Sequence, residues 1–380
     1  MKRNLPGATE VTGSGRFRVS RWLAIVSGVI GSLFGIVSGL YSTEFRDALE
    51  TSLRDLRPSP TLVFVVISSV VASASTTIFY RSLVKRRQQG EIVRGEIPIQ
   101  SDALTELSNQ QDSVVGRRLV YLEAKRHTGD LVVFLHGLGL DASDFRPYML
   151  ESKFHCVSLT MFGFNEVERD DEHYSPISLE SHVQLLAYAL RRIQRQYPHK
   201  RITLVGFSFG ADMILFLSQF VGSVFADLNI NKVILLDPNV NQSTTTISAK
   251  IAVVDQDRPL AQLVRILESA SNVAEFRNLS EYLYKITSKN FGQIQQHAQE
   301  VVKEWSLDSF DNFLDHLGLL ISSTQGVHVV LSFTYEKLFN GLAKGAVSRG
   351  LDASNLECST CDHFELIGVG YLKDRLEGLL

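Results

Sequence analysis

From residue 113 onward, short runs rich in Val, Ile and Leu alternate with longer stretches whose apolar residues fall three and four apart. The runs occupy 114–122, 131–135, 155–160, 201–205, 232–236 and 327–332. Such runs read as strands buried on both faces, whereas three- and four-residue spacing reads as a helix with one buried stripe. The segment 178-SLESHVQLLAYALRRIQRQY-197 shows the helical spacing, with its arginines on the opposite face. Strands separated by helices form a mostly parallel sheet covered on both sides. The expected class is therefore α/β, with a doubly wound, mostly parallel sheet. One interval departs from the alternation. About ninety residues separate Leu236 from Val327, and they include helical patterns such as 259-PLAQLVRILESA-270 and 309-SFDNFLDHLGLLISS-323. A structureless loop of that length does not suit a compact domain. A helical lid inserted over 241–326 is expected, dividing the core into 113–240 and 327–380.

The first 112 residues follow another logic. Residues 22–41, WLAIVSGVIGSLFGIVSGLY, and 61–80, TLVFVVISSVVASASTTIFY, each hold twenty positions without a charge. Twenty helical residues rise about 30 Å, the thickness of a bilayer's hydrocarbon core. A cleaved secretory signal has a shorter apolar core and no second span after it. Two transmembrane helices are expected, as a hairpin over 22–84. Lys2, Arg3, Arg16, Arg18 and Arg21 precede the first span, and Arg81, Lys85, Arg86 and Arg87 follow the second. The connection carries only Arg46, Arg54 and Arg57. Basic residues favour the cytoplasmic side, so the tail 1–21 and everything after residue 85 are expected there. Ser27, Gly31, Gly35 and Gly39 recur at four-residue intervals in the first span. Such a face packs against the second span or, as a homodimer, against another copy. The polar stretch 85–112 reads as a linker.

Net charge is −3, which offers no electrostatic case for nucleic acid. Cys156, Cys358 and Cys361 are too few for a disulfide framework. Cys358 and Cys361 form C-x-x-C without the second pair of ligands a zinc site needs. No metal or cofactor is expected.

Chemistry concentrates in 204-LVGFSFGADMILFLS-218, where Ser208 lies between Gly206 and Gly210. The run 201-RITLVG-206 reads as a strand and 209-FGADMILFLSQFV-221 as a helix. A serine at that junction is exposed on a sharp turn, and the crowding there demands glycine neighbours. Upstream, 131-LVVFLHGLGLDASDFR-146 runs a buried strand directly into His-Gly.

Together these two stretches resemble the α/β-hydrolase superfamily over roughly residues 113–380. The resemblance implies an oxyanion hole built from the backbone N–H groups of Leu138 and Phe209, with His136 marking the loop rather than reacting. It implies a catalytic histidine after the last strand, where 355-NLECSTCDHFELIG-368 supplies His363. The triad acid follows the penultimate strand in most members, which points to Glu336. In others it follows the strand before, which points to Asp237. Both satisfy the chain order, and Glu336 is slightly preferred. The implied activity is that of a membrane-anchored serine hydrolase. It would cleave an ester, thioester or amide, of a lipid or an acylated small molecule, through an acyl-enzyme on Ser208. The alternative is a noncatalytic binding or scaffold protein with the same fold.

Overall fold

The computed structural model describes residues 91–100, 114–169, 174–220, 223–255, 259–268, 270 and 272–380. The apolar runs 22–41 and 61–80, with the tail before them and the glycine stripe, lie outside the described residues. Among the described residues, no helix is long and apolar enough to cross a membrane.

The Val/Ile/Leu runs become the centre of one sheet. Its strands are β1 (Ile92–Pro98), β2 (Arg118–Ala124), β3 (Asp130–Leu135), β4 (His155–Thr160), β5 (Arg201–Phe207), β6 (Ile230–Leu236), β7 (Val327–Leu331) and β8 (Leu356–Cys358). They lie in the order β1-β2-β4-β3-β5-β6-β7-β8. β2 runs antiparallel to both β1 and β4, and every pairing from β4 through β8 is parallel. Each residue of β4 is buried, as are Leu131 through Leu135 of β3, because helices cover both faces.

The helices that matter for the site are α1 (Arg146–Glu151), α2 (Leu179–Gln196), α3 (Phe209–Phe220), α4 (Thr246–Ala252), α5 (Pro259–Leu267), α6 (Val273–Thr287), α7 (Phe291–Glu304), α8 (Asp311–Ser323) and α9 (Glu336–Ser348). α2 starts where the Ser178 hydroxyl accepts the Ser181 N–H at 3.2 Å. It turns Leu179, Val183, Leu186, Leu190 and Ile193 inward, at three- and four-residue spacing. α3 is different, being buried from Phe209 to Ser218, as a helix central to the fold must be.

Three expectations change. The stretch 85–112 is not linker throughout, since Ile92–Pro98 pairs along its full length with β2. Periodicity concealed this strand because it lies at the sheet edge with most side chains exposed or half-buried. β2 begins at Arg118 rather than 114, because Gly116 turns the chain at φ 79°. Finally, the expected lid is too long at its C-terminal end. Trp305 and His316 pack on Phe216 of α3, with ring centroids 5.8 and 5.6 Å away. His316 thus sets α8 against the core ahead of β7, and the segment α4 to α7 alone is called the lid.

Parallel register aligns the carboxyl ends of the strands. Phe207 pairs with Leu236, Leu236 with Val330, and Leu331 with Cys358. The residues that follow these strands therefore emerge side by side on one edge of the sheet, the usual place for a site in such folds.

Candidate active site

One residue makes the turn between β5 and α3. Ser208 has φ 51°, a left-handed conformation that a residue with a side chain rarely adopts. Its N–H extends the sheet ladder to Leu236 O at 2.8 Å. Its carbonyl opens the helix, accepting from Ala211 N at 2.8 Å and Asp212 N at 3.1 Å. Tightness explains the flanking glycines. A Cβ on Gly206 would lie 2.6 Å from Ala211 N, and one on Gly210 would lie 2.6 Å from the carbonyl carbon of Leu135. Both neighbours are backbone, which cannot swing aside. Strain held by such a framework marks functional positions.

Asp237 follows β6 and repeats the strain, also at φ 51°. Its N–H donates to Val330 O at 2.7 Å, and its buried carboxylate accepts the Ser332 N–H at 2.6 Å. The other carboxylate oxygen accepts from His363 Nδ1 at 2.6 Å. The imidazole lies between Phe207 and Phe364, with centroids at 4.6 and 5.1 Å. A carboxylate on Nδ1 fixes the tautomer and leaves Nε2 as the basic nitrogen, which has no protein partner among the described residues.

The structure brings Asp237, not Glu336, to the histidine. β7 ends at Leu331, the position that register sets beside Asp237, and the next residue, Ser332, turns its N–H onto the Asp237 carboxylate. Glu336 comes four residues later, exposed at the first turn of α9 on the rim of the cavity. The preference for Glu336 thus gives way to Asp237. The imidazole bonds Asp237 and makes no bond to Glu336, and a count of residues along the chain does not reveal which carboxylate it meets.

Ser208, Asp237, His363 and Leu138 line one cavity of about 620 Å³. No hydrogen bond joins the Ser208 hydroxyl to His363; such contacts often tighten only when substrate is bound. Phe209 opens α3 beside Ser208, and Leu138 lies in the loop after β3. Among the described residues, neither backbone N–H has an acceptor. His136 is fully buried. Its Nε2 accepts the Met161 N–H at 3.0 Å, so its Nδ1 donates to Gly137 O at 2.8 Å. Burial, reinforced by the Lys289 charge, lowers its pKa to about 3. That neutral, fully bonded ring serves the loop's shape. Over the cavity the lid contributes Ile247, Ile266, Leu279 and Tyr282.

Neither a protein-family model nor a curated protein matches the sequence. Solved structures do match in fold. A structure of AqdC with its product, described for recognition and ring-cleavage of the Pseudomonas quinolone signal, superposes with TM-score 0.51 at 13% identity. The match covers 70% of this chain and 95% of that one. A carboxylesterase structure from the thaumarchaeon Nitrososphaera gargenis gives TM-score 0.50 at 15% identity, covering 69% of this chain and 93% of that one. The fold is that of the α/β hydrolases.

Within this α/β-hydrolase fold, two features escaped sequence reasoning. Asp212, one turn into α3, is fully buried and accepts Asn239 N–H at 2.9 Å and its side-chain amide at 2.5 Å. Asn239 follows Asp237 by two residues, so the pair ties the acid's loop to the serine's helix. Burial pushes the Asp212 carboxyl up to about 7. A lone acid inside the apolar run of α3 was the one signal for it. The second feature is Lys289, buried in the turn between α6 and α7, for which the sequence gives no signal.

Proposed function

We propose that this chain is a serine hydrolase that cleaves an ester, thioester or amide through an acyl-enzyme on Ser208. The observation that carries the reading is the 2.6 Å bond between His363 Nδ1 and buried Asp237 in the cavity lined by strained Ser208. In the reaction, His363 Nε2 takes the Ser208 proton as Oγ attacks the carbonyl carbon. The tetrahedral oxyanion is received by the N–H groups of Leu138 and Phe209. Collapse breaks the bond to the leaving group, which receives the proton from His363. Water then attacks the acyl-enzyme by the same path and returns free Ser208. Asp237 holds the imidazole in the required tautomer and stabilises its transient positive charge.

Leu138, Leu140, Ile247, Ile266 and Leu279 give the cavity an apolar wall, which suits an acyl chain. The two uncharged runs at 22–41 and 61–80 support a membrane anchor, and with it a lipid or acylated small molecule as substrate. A fluorophosphonate probe tests the central claim. Wild type becomes labelled and Ser208→Ala does not, with circular dichroism unchanged. Absence of labelling in folded wild type would instead favour the noncatalytic binding protein.

A further inference from the structure

We infer that Lys289 is a positioning residue for the oxyanion loop, holding it from the lid; this rests on the serine-hydrolase reading. Lys289 lies in the turn joining lid helices α6 and α7, with its side chain 1% exposed. Its ammonium donates to Gly139 O at 3.0 Å and to Asp141 Oδ2 at 2.7 Å. Both acceptors belong to the segment that begins with Gly137 and Leu138. Asp141 is itself built into that segment. Its Oδ1 accepts the Ser143 N–H at 2.8 Å, while its own N–H donates to Asp144 at 2.9 Å. Lys285, one turn earlier on α6, pairs with Asp144. Gly139 has φ 75°, and a Cβ there would lie 2.6 Å from Ile286 Cγ1. The last turn of α6 therefore rests directly on the backbone beside Leu138.

Stability does not account for this arrangement. A buried ion pair typically gains little over apolar residues of the same volume, since desolvation of both charges offsets their attraction. What the ammonium supplies is direction. A single group reaches a backbone carbonyl and a carboxylate two residues apart, and so fixes where the intervening chain runs. Lys289 does not line the cavity, so it acts through Leu138 and not on the substrate. In consequence, the donor at Leu138 is set only while the lid lies on the loop.

The test uses the full-length protein with Lys289→Met and the milder Asp141→Asn. Active-site titration with a fluorophosphonate first counts functional Ser208. Hydrolysis of a p-nitrophenyl ester should then show kcat lowered roughly 10- to 100-fold in Lys289→Met, with KM within about threefold, since an oxyanion donor acts mainly in the transition state. Asp141→Asn should give a smaller loss of the same kind. The double variant should be no slower than Lys289→Met alone, because both lesions strike one attachment. Hydrogen exchange should quicken in residues 137–145 of Lys289→Met, whatever the activity. A variant that melts earlier, yet shows unchanged kcat per titrated site and unchanged exchange in that loop, would overturn the inference. Unlabelled wild type would sink the hydrolase reading instead, leaving loop exchange to decide whether Lys289 holds the segment.

Discussion

At the scale of single residues, the choice between two carboxylates turns on where a side chain emerges. Asp237 leaves β6 in a left-handed conformation, buried, with Ser332 N–H and His363 on its two oxygens. Glu336 is exposed at the start of a helix. Asp237→Asn keeps the size but offers an amide to Nδ1, which favours the wrong imidazole tautomer. Its kcat is expected to fall by about 10³ to 10⁴, while Glu336→Gln stays within a few-fold of wild type. Steady-state kinetics on one ester substrate decides this, and equal losses in the two variants would refute the assignment. Ser208 and Asp237 also share a strained φ, and each strain is held by a ladder hydrogen bond to the neighbouring strand. Two non-glycine residues in that conformation cost about 1 kcal/mol or more apiece, which the surrounding sheet must outweigh.

At the scale of elements, the site depends on how α3 is fastened to the loop after β6. Asp212 does this through both N–H groups of Asn239. Its pKa is raised by burial from 3.8 to about 7, so the folded state holds an extra proton between those values. Stability from this group is complete below about pH 4 and declines as pH rises toward 7, with a total on the order of 4 kcal/mol. The sign is opposite to that of a salt-bridged carboxylate. Urea denaturation from about pH 4.5 to 7.5 should show wild type losing stability relative to Asp212→Asn. A difference that does not change with pH would mean that Asp212 keeps one protonation state throughout. The lid is fastened elsewhere, by Lys285 and Lys289 to the loop after β3, so the two sides of the cavity are tied by separate contacts.

At the scale of the whole molecule, the sequence joins a hydrolase-fold domain to two uncharged twenty-residue runs. The basic flanks predict that a cytoplasm-dependent reporter works after Leu380 and an exterior-dependent one works near Ser52. The reverse pattern would invert the topology. Much of the domain is legible in the sequence by itself. Six of the eight strands, α2, α3 and the strand–serine–helix turn follow from local patterns, because burial on both faces leaves continuous apolar runs and glycines mark close backbone approach. The Gly-flanked motif and the family resemblance name Ser208, His363, Leu138 and Phe209 as candidates, and Ser208, His363 and Leu138 line one cavity. Tertiary structure decided the rest. β1 was hidden because most side chains of this edge strand are exposed or half-buried, and α8, legible as a helix, was assigned to the lid because lid and core helices share one periodicity. The contacts between Asp237 and His363, Asp212 and Asn239, and Lys289 and Asp141 join residues 126, 27 and 148 positions apart. Local propensity carries no information over such separations. The register of parallel strands and the docking of the lid bring those groups together, and both arise only when the whole sheet assembles.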